Sequence, residues 1–250
     1  MKNLAVLLTL LCVALPVAGQ QSSGPSSPQA SRQAGQQSSQ QAEPQFKLVE
    51  FQMALVKRGP KALPADWLTS ALHKQHVEYV RSLLEADKAM IAGPVMDDPE
   101  LLGVYIFRTK SVDEARGWIM ADPAVAAGYF VPELHPWWSE DVMKKTTTPQ
   151  KRMTAYLAFL VRGDKWTAEK TPETEAIQKA HLANINRLAE MKKLVVAGPF
   201  GDNGTLRGIF VFRVDSIDEA RQLADTDPAV KAGRLALQIH PWLVPEGILP

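Results

Sequence analysis

The chain has 250 residues, 46% of them hydrophobic and 22% charged, a composition that suits one large or two small soluble domains. Lys plus Arg (28) nearly balance Asp plus Glu (27), which excludes both the basic footprint of a nucleic-acid binder and an acidic interaction tail. The single cysteine, Cys12, falls in the first twenty residues, so the remainder excludes disulfides, zinc–thiolate sites and cysteine nucleophiles.

Residues 1–19 read as a secretory signal peptide: a positive start (Met1-Lys2-Asn3), an apolar run from Leu4, and small residues (Val17, Ala18, Gly19) before a cut near Gln20. The run is too short and poorly flanked for a spanning helix, and bulky Leu11 before Cys12 argues against a lipid-attachment site. Export to a secreted or periplasmic location is therefore expected, with no membrane association once the leader is removed. Residues 20–45 hold Gln, Ser, Pro and Ala and almost no bulky apolar side chain, so they cannot bury enough surface to offset the entropy of ordering. They read as a flexible linker.

From residue 46 the chain is written twice. Residues 76–137 align without a gap with 181–242 at a spacing of 105, and 26 of these 62 positions are identical. Further upstream, Ala54–Gly59 matches Ala158–Gly163 after a one-residue slip. Two domains follow, 46–143 and 151–250, joined by a linker at 144–150.

Each copy opens on an alternating strand, carried by Phe51, Met53 and Leu55 in the first and by Tyr156, Ala158 and Leu160 in the second. A helix follows, with an apolar stripe of Leu68, Leu72, Val80, Leu83 and Leu84 in copy one and Ile177, Ile185 and Leu188 in copy two. His76 and His181 fall on that stripe, and Thr171-Pro172-Glu173-Thr174 marks the second helix's start. Two short strands come next, around Ala-Gly-Pro at 92–94 and 197–199, with Asn203-Gly204 as a hairpin signal. Ser111 with Glu114, and Ser216 with Glu219, have capping-box spacing. Asp122-Pro123 and Asp227-Pro228, each followed by a glycine at 128 or 233, describe a short capped helix. A last strand leads to His-Pro-Trp at 135–137 and 240–242, where Pro136 and Pro241 are expected to stop pairing.

The order β-α-β-β-α-β, twice, predicts an α+β fold of two ferredoxin-like repeats. Each sheet has an open face to cover. The expectation is that the repeats pack sheet to sheet as an intrachain pseudo-dimeric α+β barrel, with any further oligomer left open.

The helix His, the Ala-Gly-Pro strand, Ser-x-Asp-Glu-Ala-Arg, Asp-Pro-x-x-x-x-Gly and the closing Pro-Trp together resemble the YCII-related family of dimeric α+β barrels, over roughly 47–140 and 152–245. The resemblance implies an active site built on a His and an Asp. By position these are His76 with Asp122, and His181 with Asp227. Related barrels host isomerases, monooxygenases and dehydrochlorinase-type lyases, among which a shared fold does not choose.

An imidazole on the sheet-facing stripe is costly to bury without a hydrogen bond. A carboxylate from the Asp-Pro segment would orient it as a general base of lyase or isomerase type, acting on a small organic acid, ketone or phenol. Two plainer readings stand beside this: a core histidine satisfied by a backbone carbonyl, and an aspartate that only caps. A cap can also share its carboxylate, one oxygen on the backbone and the other on the ring. His135 and His240 read as structural, with a pocket wall as the alternative. His73 and His76 have metal-pair spacing on a helix, but Gln178 replaces His73 in copy two and no third ligand is evident, so neither metal nor cofactor is expected. Arg108, Arg213, Arg116 and Arg221 recur and read as solvated or ion-paired, with an anion anchor as the outside alternative. The competing function is a non-catalytic pseudo-dimer that binds a small ligand or a partner protein.

Overall fold

The computed structural model describes residues 46–145 and 151–250. The leader at 1–19, the tether at 20–45, and all but the first two residues of the linker at 144–150 lie outside the described residues. The first repeat runs β1 (Val49–Arg58), α1 (Ala71–Glu85), β2 (Ala89–Pro94), β3 (Leu101–Phe107), α2 (Val112–Met120), α3 (Pro123–Ala126) and β4 (Phe130–Ser139). The second repeats it as β5 (Arg152–Arg162), α4 (Pro172–Glu190), β6 (Leu194–Pro199), β7 (Leu206–Phe212), α5 (Ile217–Ala224), α6 (Pro228–Lys231) and β8 (Leu235–Pro245). Both sheets are antiparallel, in the orders β2-β3-β1-β4 and β6-β7-β5-β8.

The sheets are covered on both faces, which is why their strands carry apolar residues at successive positions. Phe51, Met53 and Leu55 point into a central core shared with Leu157, Phe159, Val211 and Trp242 of the second repeat. Ala54 and Val56 point the other way, under α1 and α2, with Leu83, Phe107 and Ile119. The strand alternation read in the second copy belongs to this outer face: Tyr156, Ala158 and Leu160 pack under α4 and α5, whereas Ala155, Leu157 and Phe159 are the partners of the β1 triplet in the shared core. Both faces of β5 are apolar, so the pattern alone could not tell inside from outside.

The two sheets also join edge to edge. Pro136 and Pro241 do not end pairing; they sit mid-strand opposite Gln52 and Tyr156. Each lies on the outer strand of its own sheet, where a missing N–H is tolerated, and its carbonyl accepts from the other repeat: Gly201 N–H to Pro136 O at 2.8 Å, Met96 N–H to Pro241 O at 3.0 Å. Single bridges Trp137–Phe200 and Val95–Trp242 mark the same seams. Eight strands thereby close into a barrel with no open edge, filled by side chains. Trp137 and Trp242 are its largest fully buried residues. Each indole donates across the seam, Trp137 Nε1 to Gly198 O at 3.1 Å and Trp242 Nε1 to Gly93 O at 3.0 Å. The repeated Ala-Gly-Pro follows from this approach. A Cβ at Gly93 would stand 2.0 Å from Leu243 O, and one at Gly198 1.8 Å from Trp138 O.

Local signals resolve in detail. Thr171 caps α4 in a full capping box with Thr174. Ser111 and Ser216 each accept from the N–H of their Glu, but those glutamates reach past the cap, Glu114 to Thr109 Oγ1 and Glu219 to Asp215 N–H. Leu68 lies before α1 in a single 3-10 turn and is 76% exposed, so it is no part of the stripe. The β6–β7 connection is longer than a two-residue turn: Asn203 takes φ +55° and Asp202 Oδ1 accepts from Gly204 N–H.

Candidate functional site

Two side-chain pairs, one per repeat, come together where α1 or α4 crosses the short helix α3 or α6. The aspartates arrive there because each caps its short helix. Asp122 Oδ1 accepts from Ala124 N–H at 2.8 Å, and Asp227 Oδ1 from Ala229 N–H at 2.8 Å. Pro123 and Pro228 supply the preset first turn. Gly128 (φ +82°) and Gly233 (φ +71°) adopt the left-handed conformation that turns the chain back into the last strand. The carboxylates are 1% and 0% exposed.

The histidines arrive from the helix stripe. His76 Nδ1 lies 2.9 and 2.8 Å from the two oxygens of Asp122, and His181 Nδ1 lies 2.7 Å from Asp227 Oδ2. One carboxylate thus serves a backbone cap and an imidazole together. No residue among those described takes the Nε2 atom of either ring, and each ring remains 15% and 12% exposed. Each lines a pocket between the first helix and the outer face of its sheet, about 480 Å³ around His76 and about 560 Å³ around His181. With Nδ1–H donated to a carboxylate, the free lone pair is on Nε2, facing the pocket, the arrangement a general base requires.

The surroundings differ between the halves. Tyr79, which donates to Trp118 O at 2.7 Å, and Tyr105 stand near Asp122; burial, and then the Asp122 charge, push both phenols up, Tyr105 far up. In the second half Asn184 stands in Tyr79's place and donates to Asp227 at 3.5 Å. Phe210 replaces Tyr105 and stacks on His181 with centroids 5.9 Å apart. His76 instead meets Phe130 edge-on at 5.3 Å.

Other candidates fall elsewhere. The His73 and His76 rings lie 6.2 Å apart, and among the described residues no group of three His, Cys, Asp or Glu stands together to hold a metal ion. Arg108 is tied to Asp141 at 2.9 Å and Asp87 at 3.3 Å, and Arg213 donates to Pro250 O at 2.6 Å. Arg116 and Arg221 are exposed. Among the described residues no helix is long and apolar enough to cross a membrane. Sequence reading missed a second set of pairs, made across the repeats: His135 with Asp202 at 2.5 Å and His240 with Asp97 at 3.0 Å. The signal was present, because Asp97 and Asp202 are a matched pair in the repeat alignment. Trp166, Arg207 and Arg234 of the second pocket were also missed. They have no counterparts in copy one, so repetition could not point to them.

Comparison with known proteins agrees with this doubling. The YCII-related domain family matches residues 51–137 and again 156–243. Uncharacterized protein YjpA of Bacillus subtilis (strain 168) is 31% identical over 90 residues, 36% of this chain and 95% of that protein. Two mutant chlorite dismutases from Candidatus Nitrospira defluvii share the fold, with a TM-score of 0.51 at 10% identity over 80% of this chain and 92% of theirs.

Proposed function

The chain belongs to the YCII-related domain family, carrying the domain twice, and from that premise we propose that each half moves a proton to or from a small organic molecule held beside its histidine. The observation that carries this is the shared carboxylate, buried, capping a helix and holding an imidazole Nδ1–H in both halves. Asp122 and Asp227 fix the tautomer and stabilise the imidazolium that forms when Nε2 takes a proton. His76 and His181 are the groups that accept and return it. Substrates suited to this chemistry are acids, ketones or phenols with a labile C–H or O–H, in a lyase or isomerase reaction. The plain core-histidine reading fits less well, because each ring is oriented by a carboxylate and its other nitrogen borders a cavity. We place this activity outside the cytoplasm, secreted or periplasmic, on the strength of the leader at 1–19 and the tether at 20–45.

The test is solvent-deuterium incorporation, followed by proton NMR, into a panel of enolisable keto acids, cyclic diketones and hydroquinones. Wild type exchanges at least one class. H76A and H181A each remove part of the rate, and the double variant falls to buffer level, a loss of about 10²–10⁴-fold. A double variant as fast as wild type, or no exchange in any class, overturns the proposal. Retained ligand binding in that case would identify a binding module instead.

A further inference from the structure

The two pockets are not copies. On the outer face of β7, Arg207 stands where β3 has Leu102, and Arg234 stands where the first half has Tyr129. Both arginines line the His181 pocket together with Trp166. Their guanidinium carbons lie 4.6 Å (Arg207) and 5.3 Å (Arg234) from the Trp166 ring centroid, with Arg162 at 5.5 Å. Three cations around one indole repel one another, and two of them have their own acceptors: Arg162 Nη2 donates to Asn203 O at 2.5 Å, and Arg234 Nη2 to Thr167 O at 2.9 Å.

Arg207 Nη1 is buried and, among the described residues, has no hydrogen-bond acceptor. Burial, and then Arg162, push the guanidinium down from its ordinary value, yet an arginine does not lose its proton in a protein. A buried charged donor left unmet is costly, and the side chain that carries it lines a cavity that a ligand can enter. The rest of the lining is mostly apolar: Leu160, Ile177, Leu182, Ile185 and Phe210 among others. Glu140 is the acidic side chain of the lining, and the Pro250 carbonyl there is already taken by Arg213. The first pocket's own arginines, Arg81 and Arg152, are exposed, where water and salt screen them.

We propose that the C-terminal pocket is an organic-acid site, in which Arg207 takes the ligand's carboxylate bidentately and the apolar lining takes its carbon skeleton beside His181. Arg is suited to this by its planar fork of donors. Arg234 supports the site as a second positive charge, and Trp166 holds both guanidinium planes. The two halves are then differently specific, the first carrying Leu102 and Tyr129 at the positions of Arg207 and Arg234. This extends the proton-transfer reading by naming the ligand class, but binding at Arg207 does not depend on His181 being active.

Isothermal titration of the full chain with benzoate and with benzamide tests it. Wild type binds benzoate, and benzamide at least about ten-fold more weakly. R207L, which installs the residue found at position 102, and R207Q, which keeps the bulk, both lose about ten-fold or more for benzoate while folding normally by circular dichroism. Benzoate binding is read without any turnover, so failure of the proton-transfer reading and failure of the acid site are separately visible. Equal benzoate affinity in R207L, R207Q and wild type, equal binding of benzamide, or no benzoate binding by wild type at about 10 mM overturns the proposal.

Discussion

Replacing Gly198 by Ala puts a methyl group into the seam that closes the barrel. Its Cβ would stand 1.8 Å from Trp138 O, so the edge strand must retreat by more than about 1 Å to reach ordinary contact. Three cross-repeat hydrogen bonds run through that spot: Trp137 Nε1 to Gly198 O at 3.1 Å, Ser139 Oγ to Ala197 O at 3.2 Å and Gly201 N–H to Pro136 O at 2.8 Å. Lengthened by 1 Å they are no longer hydrogen bonds. At about 1 kcal/mol each, G198A costs about 3 kcal/mol before any loosening of the buried indole. For a domain of this size that lowers Tm by about 6–12 °C in calorimetry. G93A meets Leu243 O at 2.0 Å across the other seam and behaves alike. G117A is the control: it lies exposed in α2 with nothing within 4 Å of the new methyl, and it gains up to about 1 kcal/mol of helix propensity. A Tm for G198A and G93A within about 2 °C of wild type would refute the seam account.

The other predictions concern the pairs. D227N keeps the N-cap of α6, because Asn caps as well as Asp, so its stability stays within about 1 kcal/mol while proton exchange in that half collapses; D227A loses the cap as well and unfolds about 1–2 kcal/mol earlier in urea. W242F leaves Gly93 O without its donor and removes buried ring atoms, costing about 2–3 kcal/mol by urea denaturation. Stability falls in acid through two groups. Burial, and then the nearby His76, hold His73 below its usual 6.5, so its contribution is full above about pH 6.5 and is lost as pH falls toward its folded value. H73Q, the residue found at 178 in the other half, flattens that part of the urea-midpoint profile. Burial alone would raise Asp202, but the hydrogen bonds from His135 and Gly204 N–H outweigh it and hold the carboxyl below its usual 3.8; its share is lost only as pH falls through about 4 and lower, and D202N removes it.

Much of this molecule was legible because it is written twice. Repetition at a spacing of 105 exposed the βαββαβ unit, the paired histidines and the paired Asp-Pro caps before any coordinate was known. The same doubling implied that a covalent partner covers each sheet. What stayed hidden depends on contacts between the copies. Pro136 and Pro241 read as the end of pairing because proline has no N–H for the ladder, whereas each pairs within its own sheet and its carbonyl accepts from the other repeat. The Ala-Gly-Pro glycines carried no reason in their own repeat, since the atoms that exclude a Cβ belong to the opposite strand. Tyr156, Ala158 and Leu160 alternate as a strand should, but β5 is apolar on both sides, so the alternation does not say which face meets the other repeat. Arg207 escaped notice for the opposite cause: it is where the copies differ.

The imidazole tautomers bear on the functional reading most directly. In long-range proton–nitrogen correlation spectra at pH 8, His76 and His181 should both carry hydrogen on Nδ1 and a lone pair on Nε2, and D122N and D227N should each shift the corresponding ring to the Nε2–H form. Rings protonated on Nε2 in the wild-type protein would leave no base facing either pocket and would contradict the account.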